Sequence, residues 1–307
     1  MLKFIAKKVY IEGFKRGVRE GYRRGKITGS KGFVKSTPEV FAYLDFYNKV
    51  IDFAVKTNLA SFKKYNPPSP LAGKDILARG CLYIIGERAV ILDRSILSMC
   101  EDGWVSVAPV IIRSLLECFT NSVAIVKKDS EYMAFKFYAH DLLNSYLDED
   151  FNEYEKDFNM GQVNFQLNRL NPQYKKRAEE YKSEFIKKGK LRNFWYKPEY
   201  EKIEDIFRVC DNQGLEWYRI YKKFSMATHS SFIGLGLFKE KPDKRDVNPR
   251  ADLETAKMAL VSSSRLLLEI TNIRGQFEDL NLHSEVKQLI AELLKLKKPS
   301  VGQLQKG

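Results

Sequence analysis

Apolar residues recur every three to four positions over long segments of this 307-residue chain, and breaker residues separate the segments. That spacing places apolar side chains on one face of an α-helix, whereas the alternation typical of strands is absent. Thr37 followed by Pro38 is typical of a helix start, and the run from Asn66 to Pro70 ends the first segment. The sequence therefore predicts an all-α fold, a multi-helix bundle.

The same pattern divides the rest of the chain. Further helices are predicted at 71–100, 105–128, 130–158, 172–189, 215–230, 251–274 and 284–297, with an aromatic-rich loop at 189–202. The predicted organisation is a basic amphipathic arm at 1–36, a helical core domain at 37–238, a hydrophilic linker at 239–250 and C-terminal helices at 251–307 that pack on the core.

Positive charge is concentrated in the N-terminal arm. Of the net +13 at pH 7, residues 1–35 carry +9, from eleven basic and two acidic residues, and the rest of the chain carries +4. Phe4, Ile11 and Val18 fall on one side of a helical projection. Glycines at positions 13, 17, 21 and 25 would each cost an isolated helix about 1 kcal/mol. The candidate nucleic-acid-binding residues are Lys15, Arg16, Arg19, Arg23 and Arg24.

A concentrated cationic segment favours an anionic partner, and RNA or DNA is the first candidate. The apolar stripe beside the cations also fits an anionic membrane surface or a partner helix. A flexible basic tail without a partner is the ordinary interpretation. A homo-oligomer is left open.

The cysteines indicate the compartment. Cys81, Cys100, Cys118 and Cys210 are far apart without a C-x-x-C pair, which favours reduced thiols in a cytoplasmic protein. No secretory signal is recognised, and no run of eighteen apolar residues predicts a membrane-spanning helix. Metalloprotease, Walker A and dinucleotide motifs are absent, so neither a metal nor a cofactor is expected.

Charged residues interrupt the most apolar segment. The segment 105–128 is apolar almost all round, which predicts a buried helix, yet it contains Arg113 and Glu117 one turn apart. Buried charges need partners, and a salt-bridge network with Glu87 and Arg94 of the preceding helix is the ordinary interpretation.

A second polar series aligns along one face of the helix predicted at 215–230. It consists of Tyr218, Tyr221, Ser225 and His229. A hydrogen-bonded core histidine is the ordinary interpretation, and a proton carrier near neutral pH is the functional one.

The run Ile112–Glu117 and the pattern Tyr221-x3-Ser225-x3-His229 resemble an uncharacterised family of helical bacterial proteins. That family has an Arg-Ser-Leu-x-Glu helix and a downstream Tyr/Ser/His helix, and the resemblance covers about half the chain. It implies a shared polar core around Arg113, Glu117, Ser225 and His229. It also implies a cytoplasmic protein, in some members on mobile elements or in phage defence, and it implies no particular reaction.

Three functional hypotheses remain open, and whether the chain is an enzyme is undecided between them. The favoured one is a non-enzymatic helical protein that binds nucleic acid or another anionic partner through its arm. The first alternative is a metal-independent nuclease-like enzyme in which His229 is the general base, Glu117 orients it and Arg113 stabilises phosphoryl charge. Ser225 and Tyr221 complete its candidate catalytic residues. The second alternative is a peripheral membrane-associated protein.

Overall fold

A computed structural model describes residues 38–65, 75–102, 107–144, 150–188, 194–210, 214–228 and 253–296. Within these ranges the chain forms helices and no strand, so the all-α prediction is confirmed. The helices are α1 (Pro38–Tyr65), α2 (Ile76–Asp102), α3 (Ala108–Val126), α4 (Ser130–Leu143), α5 (Glu153–Arg169), α6 (Pro172–Lys188), α7 (Ile203–Arg208), α8 (Gly214–Thr228), α9 (Leu253–Phe277) and α10 (His283–Leu296). The predicted arm and the linker at 239–250 lie outside the described residues.

Helix boundaries follow local signals. Proline opens α1 and α6, and Pro109 lies in the first turn of α3. At the start of α5, the Asn152 side chain accepts a hydrogen bond from the Glu155 backbone, and the Glu155 carboxylate accepts one from the Asn152 backbone. This capping box begins a new helix, so the prediction of one helix over 130–158 was wrong.

The aromatic-rich segment predicted as a loop contributes to the core. In its described part, residues 195–199 form turns, and Trp195, Tyr196 and Tyr200 are buried. The Trp195 indole donates to Asn121 Oδ1 at 3.1 Å. The short helix α7 begins soon afterwards and was not predicted from the sequence.

Four helices form the centre of the bundle. Helix α9 packs against α1, α2 and α3, and α1–α2 and α2–α3 are also in contact. Helix α4 packs on α2 and α3 and contacts α5 and α6, while α10 packs against α1 and α9. Helices α7 and α8 pack on α3, so α3 and α8, which carry four of the five candidate catalytic residues, are direct neighbours.

Helix α3 is the most apolar of the described helices. It is the one helix in the described part of the chain whose length and composition would allow it to cross a bilayer. Of its most apolar window, 61% is buried against the rest of the protein. Such burial is that of a core helix, so composition alone is weak evidence for a membrane span.

Candidate functional site

Arg113 and Glu117 lie on the side of α3 that faces α8. Arg113 Nη1 is 2.9 Å from Glu117 Oε1, and the two side chains are 21% and 39% exposed. The pair therefore lies at the edge of the core, whereas the sequence predicted it inside a fully buried helix. Helices α7 and α8 pack on α3, and both charged side chains stay partly in contact with water.

Helix α8 supplies further partners for Arg113. The Arg113 Nε donates to Ser225 Oγ at 3.0 Å, and Nη2 is 3.3 Å from Tyr221 Oη. The guanidinium carbon is also 5.4 Å from the centroid of the Tyr221 ring. Each guanidinium nitrogen thus has a partner, and Arg113, Glu117, Tyr221 and Ser225 form one group, the Arg113 cluster. Their catalytic role stays a prediction.

The remaining predicted site residues lie outside the described residues. These are His229 and the arm residues Lys15, Arg16, Arg19, Arg23 and Arg24. In the sequence, His229 follows Ser225 by four positions, and the described part of α8 ends at Thr228.

Aromatic residues that were not predicted as part of the site hold α8 in place. The Phe207 ring on α7 lies 5.8 Å from the Tyr218 ring and 5.9 Å from the Tyr221 ring. Phe119 on α3 lies 6.3 Å from Phe207. A Cβ at Gly214 would lie 1.8 Å from the Phe207 carbonyl oxygen, so the first turn of α8 tolerates no side chain there. The high aromatic content of this part of the sequence was the feature from which these contacts could have been predicted.

The outer face of α8 is cationic. Arg219, Lys222 and Lys223 are all exposed, and Lys222 Nζ lies 5.5 Å from the centroid of the Tyr218 ring. Their spacing places the three side chains on one side of the helix. This face combines positive charge with an aromatic ring beside the Arg113 cluster.

A second charged group joins α4, α6 and the turns at 195–199, and it was not predicted from the sequence. Lys136 on α4 is fully buried and donates to the Glu199 carboxylate and to the Lys197 carbonyl. Arg177 on α6 donates to Glu199 Oε1 at 2.9 Å and to Asp129 Oδ2 at 2.8 Å. The feature from which this group could have been predicted was a single lysine, Lys136, inside the apolar run 132–139.

A buried carboxyl lies between α1, α2 and α9. Tyr47 Oη donates to the Asp93 backbone carbonyl at 2.8 Å and lies 3.0 Å from Ser263 Oγ. Burial raises the pKa of the Asp93 carboxyl to about 7. The nearby Tyr47 and Ser263 hydroxyls offset this only in part, because the carboxyl oxygens have no well-formed hydrogen bond to any described residue.

Glu87 belongs to a third buried polar group. Asn58 on α1 donates to Glu87 Oε1 at 2.7 Å and accepts a hydrogen bond from Arg274 on α9. Arg274 is 1% exposed and donates through Nε to Glu278 at 3.2 Å. The sequence predicted a network of Glu87 and Arg94 with Arg113 and Glu117, whereas the described hydrogen bond of Glu87 reaches Asn58 on α1 and the described partners of Arg113 lie on α3 and α8.

The cysteines are free thiols, as predicted. Cys81, Cys100 and Cys118 are buried, and burial raises the pKa of each thiol to about 12. None of these three is poised as a thiolate nucleophile at neutral pH. Among the described residues, no three His, Cys, Asp or Glu side chains are grouped so as to hold a metal ion.

Replacing Arg113 with methionine is expected to lower the free energy of unfolding by about 1 to 3 kcal/mol, because Glu117 and Ser225 lose a charged partner. In a double-mutant cycle with Ser225→Ala, measured by urea unfolding, we expect a coupling energy of about 1 kcal/mol. The matched control is Arg219→Met on the exposed face of α8, which should change stability by less than about 0.5 kcal/mol. A coupling energy of zero would contradict the contact between α3 and α8.

A protein-family model matches residues 88–245, about half of the chain, and its description is a family of unknown function (DUF5677). This match confirms the resemblance to an uncharacterised helical family. The matched range includes the Arg113 cluster and position 229, and it excludes the N-terminal arm, α9 and α10. No curated protein and no solved structure matches the chain significantly.

Proposed function

This chain belongs to the family of unknown function DUF5677, and we propose that it is a non-enzymatic helical protein that binds nucleic acid, RNA or DNA, through its basic N-terminal arm. The observation that carries the proposal is the distribution of charge, since residues 1–35 hold +9 of the net +13. A nucleic acid carries a phosphate at every nucleotide, so closely spaced lysines and arginines gain affinity by releasing its condensed counterions.

The outer face of α8 supports the same partner. Arg219, Lys222 and Lys223 are exposed there, and the Tyr218 ring lies beside Lys222. Cations that follow a phosphate backbone and an aromatic ring on which a base can stack are the usual combination on single-stranded nucleic-acid surfaces. This face would be a second contact with the nucleic acid, and it lies within residues 88–245, which the family model matches.

The Arg113 cluster favours a non-enzymatic protein. The Arg113 guanidinium is engaged by Glu117, Ser225 and Tyr221, so an incoming phosphate would have to displace the Glu117 carboxylate first. A guanidinium that bridges two helices in this way has an evident packing role, which is to fix the position of α8 on α3.

The resemblance extends the proposal to the setting of the protein. It suggests the cytoplasm, and phage defence or a mobile element, where foreign RNA or DNA is the anionic polymer at hand. Self-association of the chain is compatible with this proposal and adds charge by placing two arms in one particle.

The test compares two five-residue variants of the full chain on a fluorescent 30-nucleotide single-stranded RNA. One variant replaces Lys15, Arg16, Arg19, Arg23 and Arg24 with glutamine. The other removes the same charge from exposed lysines distributed over the body, at Lys56, Lys127, Lys176, Lys287 and Lys295. The arm variant should lower the slope of log K against log salt by about 3 to 4, because about 0.7 counterions are released per phosphate contact.

The control variant should bind nearly as well as the unchanged chain. Equal losses in both variants would indicate that net charge alone decides the interaction, and this would contradict a specific role for the arm. Vesicles of neutral and of anionic phospholipid belong in the same experiment. Flotation with anionic vesicles and no RNA binding would replace nucleic acid by a membrane surface as the partner.

Metal-independent cleavage of a phosphodiester is the second candidate function, and one contact favours it. Ser225 lies 3.0 Å from Arg113 Nε, and His229 follows Ser225 by four residues in the sequence. If the helical spacing continues, a general base and a guanidinium would face the same substrate. Because His229 needs no metal for this role, RNA cleavage should persist in EDTA.

The test of this candidate measures RNA cleavage in EDTA by the unchanged chain and by His229→Ala. Cleavage that is lost in the variant supports a catalytic role for His229. Cleavage that is unchanged in the variant removes His229 from the mechanism, and no cleavage by either protein contradicts this candidate function.

A further inference from the structure

Helix α5 carries two apolar stripes on opposite sides. The inner stripe includes Val163 and Leu167, which are buried. The outer stripe consists of four aromatic residues, and their exposed fractions are large: Phe151 37%, Tyr154 78%, Phe158 56% and Phe165 49%. The three that lie in the helix, Tyr154, Phe158 and Phe165, fall within about 40° of one another at 100° per residue, directly opposite the inner stripe, and Phe151 comes two residues before the helix.

An exposed aromatic surface of this area is typical of a binding site. Aromatic side chains have about 150 to 250 Å² each, so this stripe leaves roughly 400 Å² of aromatic surface in water. Gly161 lies on the same side between Phe158 and Phe165, and a Cβ built there would have no other atom within 4 Å. The middle of the stripe is therefore open at Gly161, where no side chain projects.

Acidic residues flank the N-terminal half of the outer stripe, whereas at its C-terminal end the Arg169 guanidinium carbon lies 5.4 Å from the centroid of the Phe165 ring. Glu153 and Asp157 lie along one side of it and Glu155 along the other, and all three are exposed. Asp150, just before the helix, is exposed as well. The complementary partner is a helix with an apolar stripe and basic flanks.

The N-terminal arm of the same chain has that pattern. A helical projection of its sequence places Phe4, Ile11, Phe14, Val18 and Tyr22 on one side, with Arg16, Arg19 and Arg23 on a flank. Residues 26–37 connect this segment to α1 and can span up to about 40 Å. That reach is about twice the radius of gyration of about 20 Å expected for a chain of this length.

We propose that the N-terminal arm docks on the outer stripe of α5 in the same molecule. The apolar side of the arm covers Tyr154, Phe158 and Phe165, and its arginines face Glu153 and Asp157. Four glycines make the arm unstable as an isolated helix in water. Packing against α5 stabilises the arm in its helical form. An anionic polymer and α5 compete for the same arginines. A ligand that binds the arm weakly therefore fails to displace α5. The docking itself needs no nucleic acid and stands independently of the proposed function.

The test is limited digestion of the full chain by chymotrypsin, without nucleic acid, following cleavage after Phe14 and Tyr22 by mass spectrometry. Proteolysis follows the population of the undocked arm when opening is fast. The variant Tyr154→Ser/Phe158→Ser should therefore raise the cleavage rate about tenfold or more. The matched control is Ile84→Ser/Ile91→Ser, which removes two exposed apolar residues from α2 and should leave the rate unchanged.

A charge swap tests the ionic part of the docking. Glu153→Lys/Asp157→Lys should release the arm, and adding Arg19→Glu/Arg23→Glu to that variant should restore protection. The cleavage rate should also be independent of protein concentration. Equal rates in all variants would overturn the proposal, and protection that grows with protein concentration would overturn docking within one molecule and assign the stripe to the arm of a second copy.

Discussion

Replacing Lys136 with methionine is expected to lower the free energy of unfolding by about 3 to 5 kcal/mol. The Lys136 ammonium is fully buried and donates to the Glu199 carboxylate, of which only 8% is exposed. Removing the lysine leaves that carboxylate buried beside a vacated site with one remaining cationic partner, Arg177. Breaking one side of a buried ion pair is costly because the other charge stays out of water.

The measurement is urea unfolding of the unchanged chain and of three variants. Lys136→Met/Glu199→Gln should recover at least about half of the loss, since the uncompensated charge is gone. Lys176→Met, on the exposed surface of the same helix as Arg177, should change stability by less than about 0.5 kcal/mol. A loss for Lys136→Met no larger than this control would show that the pair is not buried as described.

The free energy of unfolding is expected to fall as the pH rises from about 4 to about 8, through the ionisation of Asp93. Burial raises the pKa of this carboxyl to about 7 in the folded protein, whereas an unfolded aspartate has a pKa near 3.9. Between these values the folded state holds a proton that the unfolded state has released, so rising pH favours unfolding. A shift of about 3 units corresponds to about 4 kcal/mol across this range.

The variant Asp93→Asn should lack this slope, since its side chain does not titrate. The difference in stability between the variant and the unchanged chain, followed by urea unfolding from pH 4 to pH 8, isolates Asp93 from the histidines and other carboxyls. Asp52→Asn, at an exposed position of α1, should keep the full slope. Parallel curves for Asp93→Asn and the unchanged chain would contradict an ionisable group buried at this position.

Much of the fold could be predicted from the sequence because helix signals are local. Apolar spacing and the prolines at positions 38, 109 and 172 place most helices within a few residues of their observed bounds. The single error of continuity, at 130–158, arose because an amphipathic pattern runs on while Asn152 starts a new helix. Helix α7 was missed because six residues are too few to show a period.

The candidate site was predicted in part. Arg113 and Glu117 drew attention as charges in an apolar helix, and Tyr221 and Ser225 as polar residues on one face, so their proximity could be anticipated. The partners of Lys136 and Arg274 could not. Lys136 and Glu199 are 63 residues apart, and Arg274 and Asn58 are 216 residues apart, so no spacing connects them.

The amino-acid sequence by itself determined the helical character, the concentration of charge in residues 1–35 and the chemistry of each helix face, because these depend on neighbours within a few positions. Only the tertiary structure decided which charges are compensated and which apolar faces stay in water. Arg113 is engaged by three side chains, and the aromatic stripe of α5 is exposed, since both outcomes depend on which helix packs against which. Burial is a property of the assembled bundle. It decides the free-energy cost of a charge in the core and of an apolar ring in water.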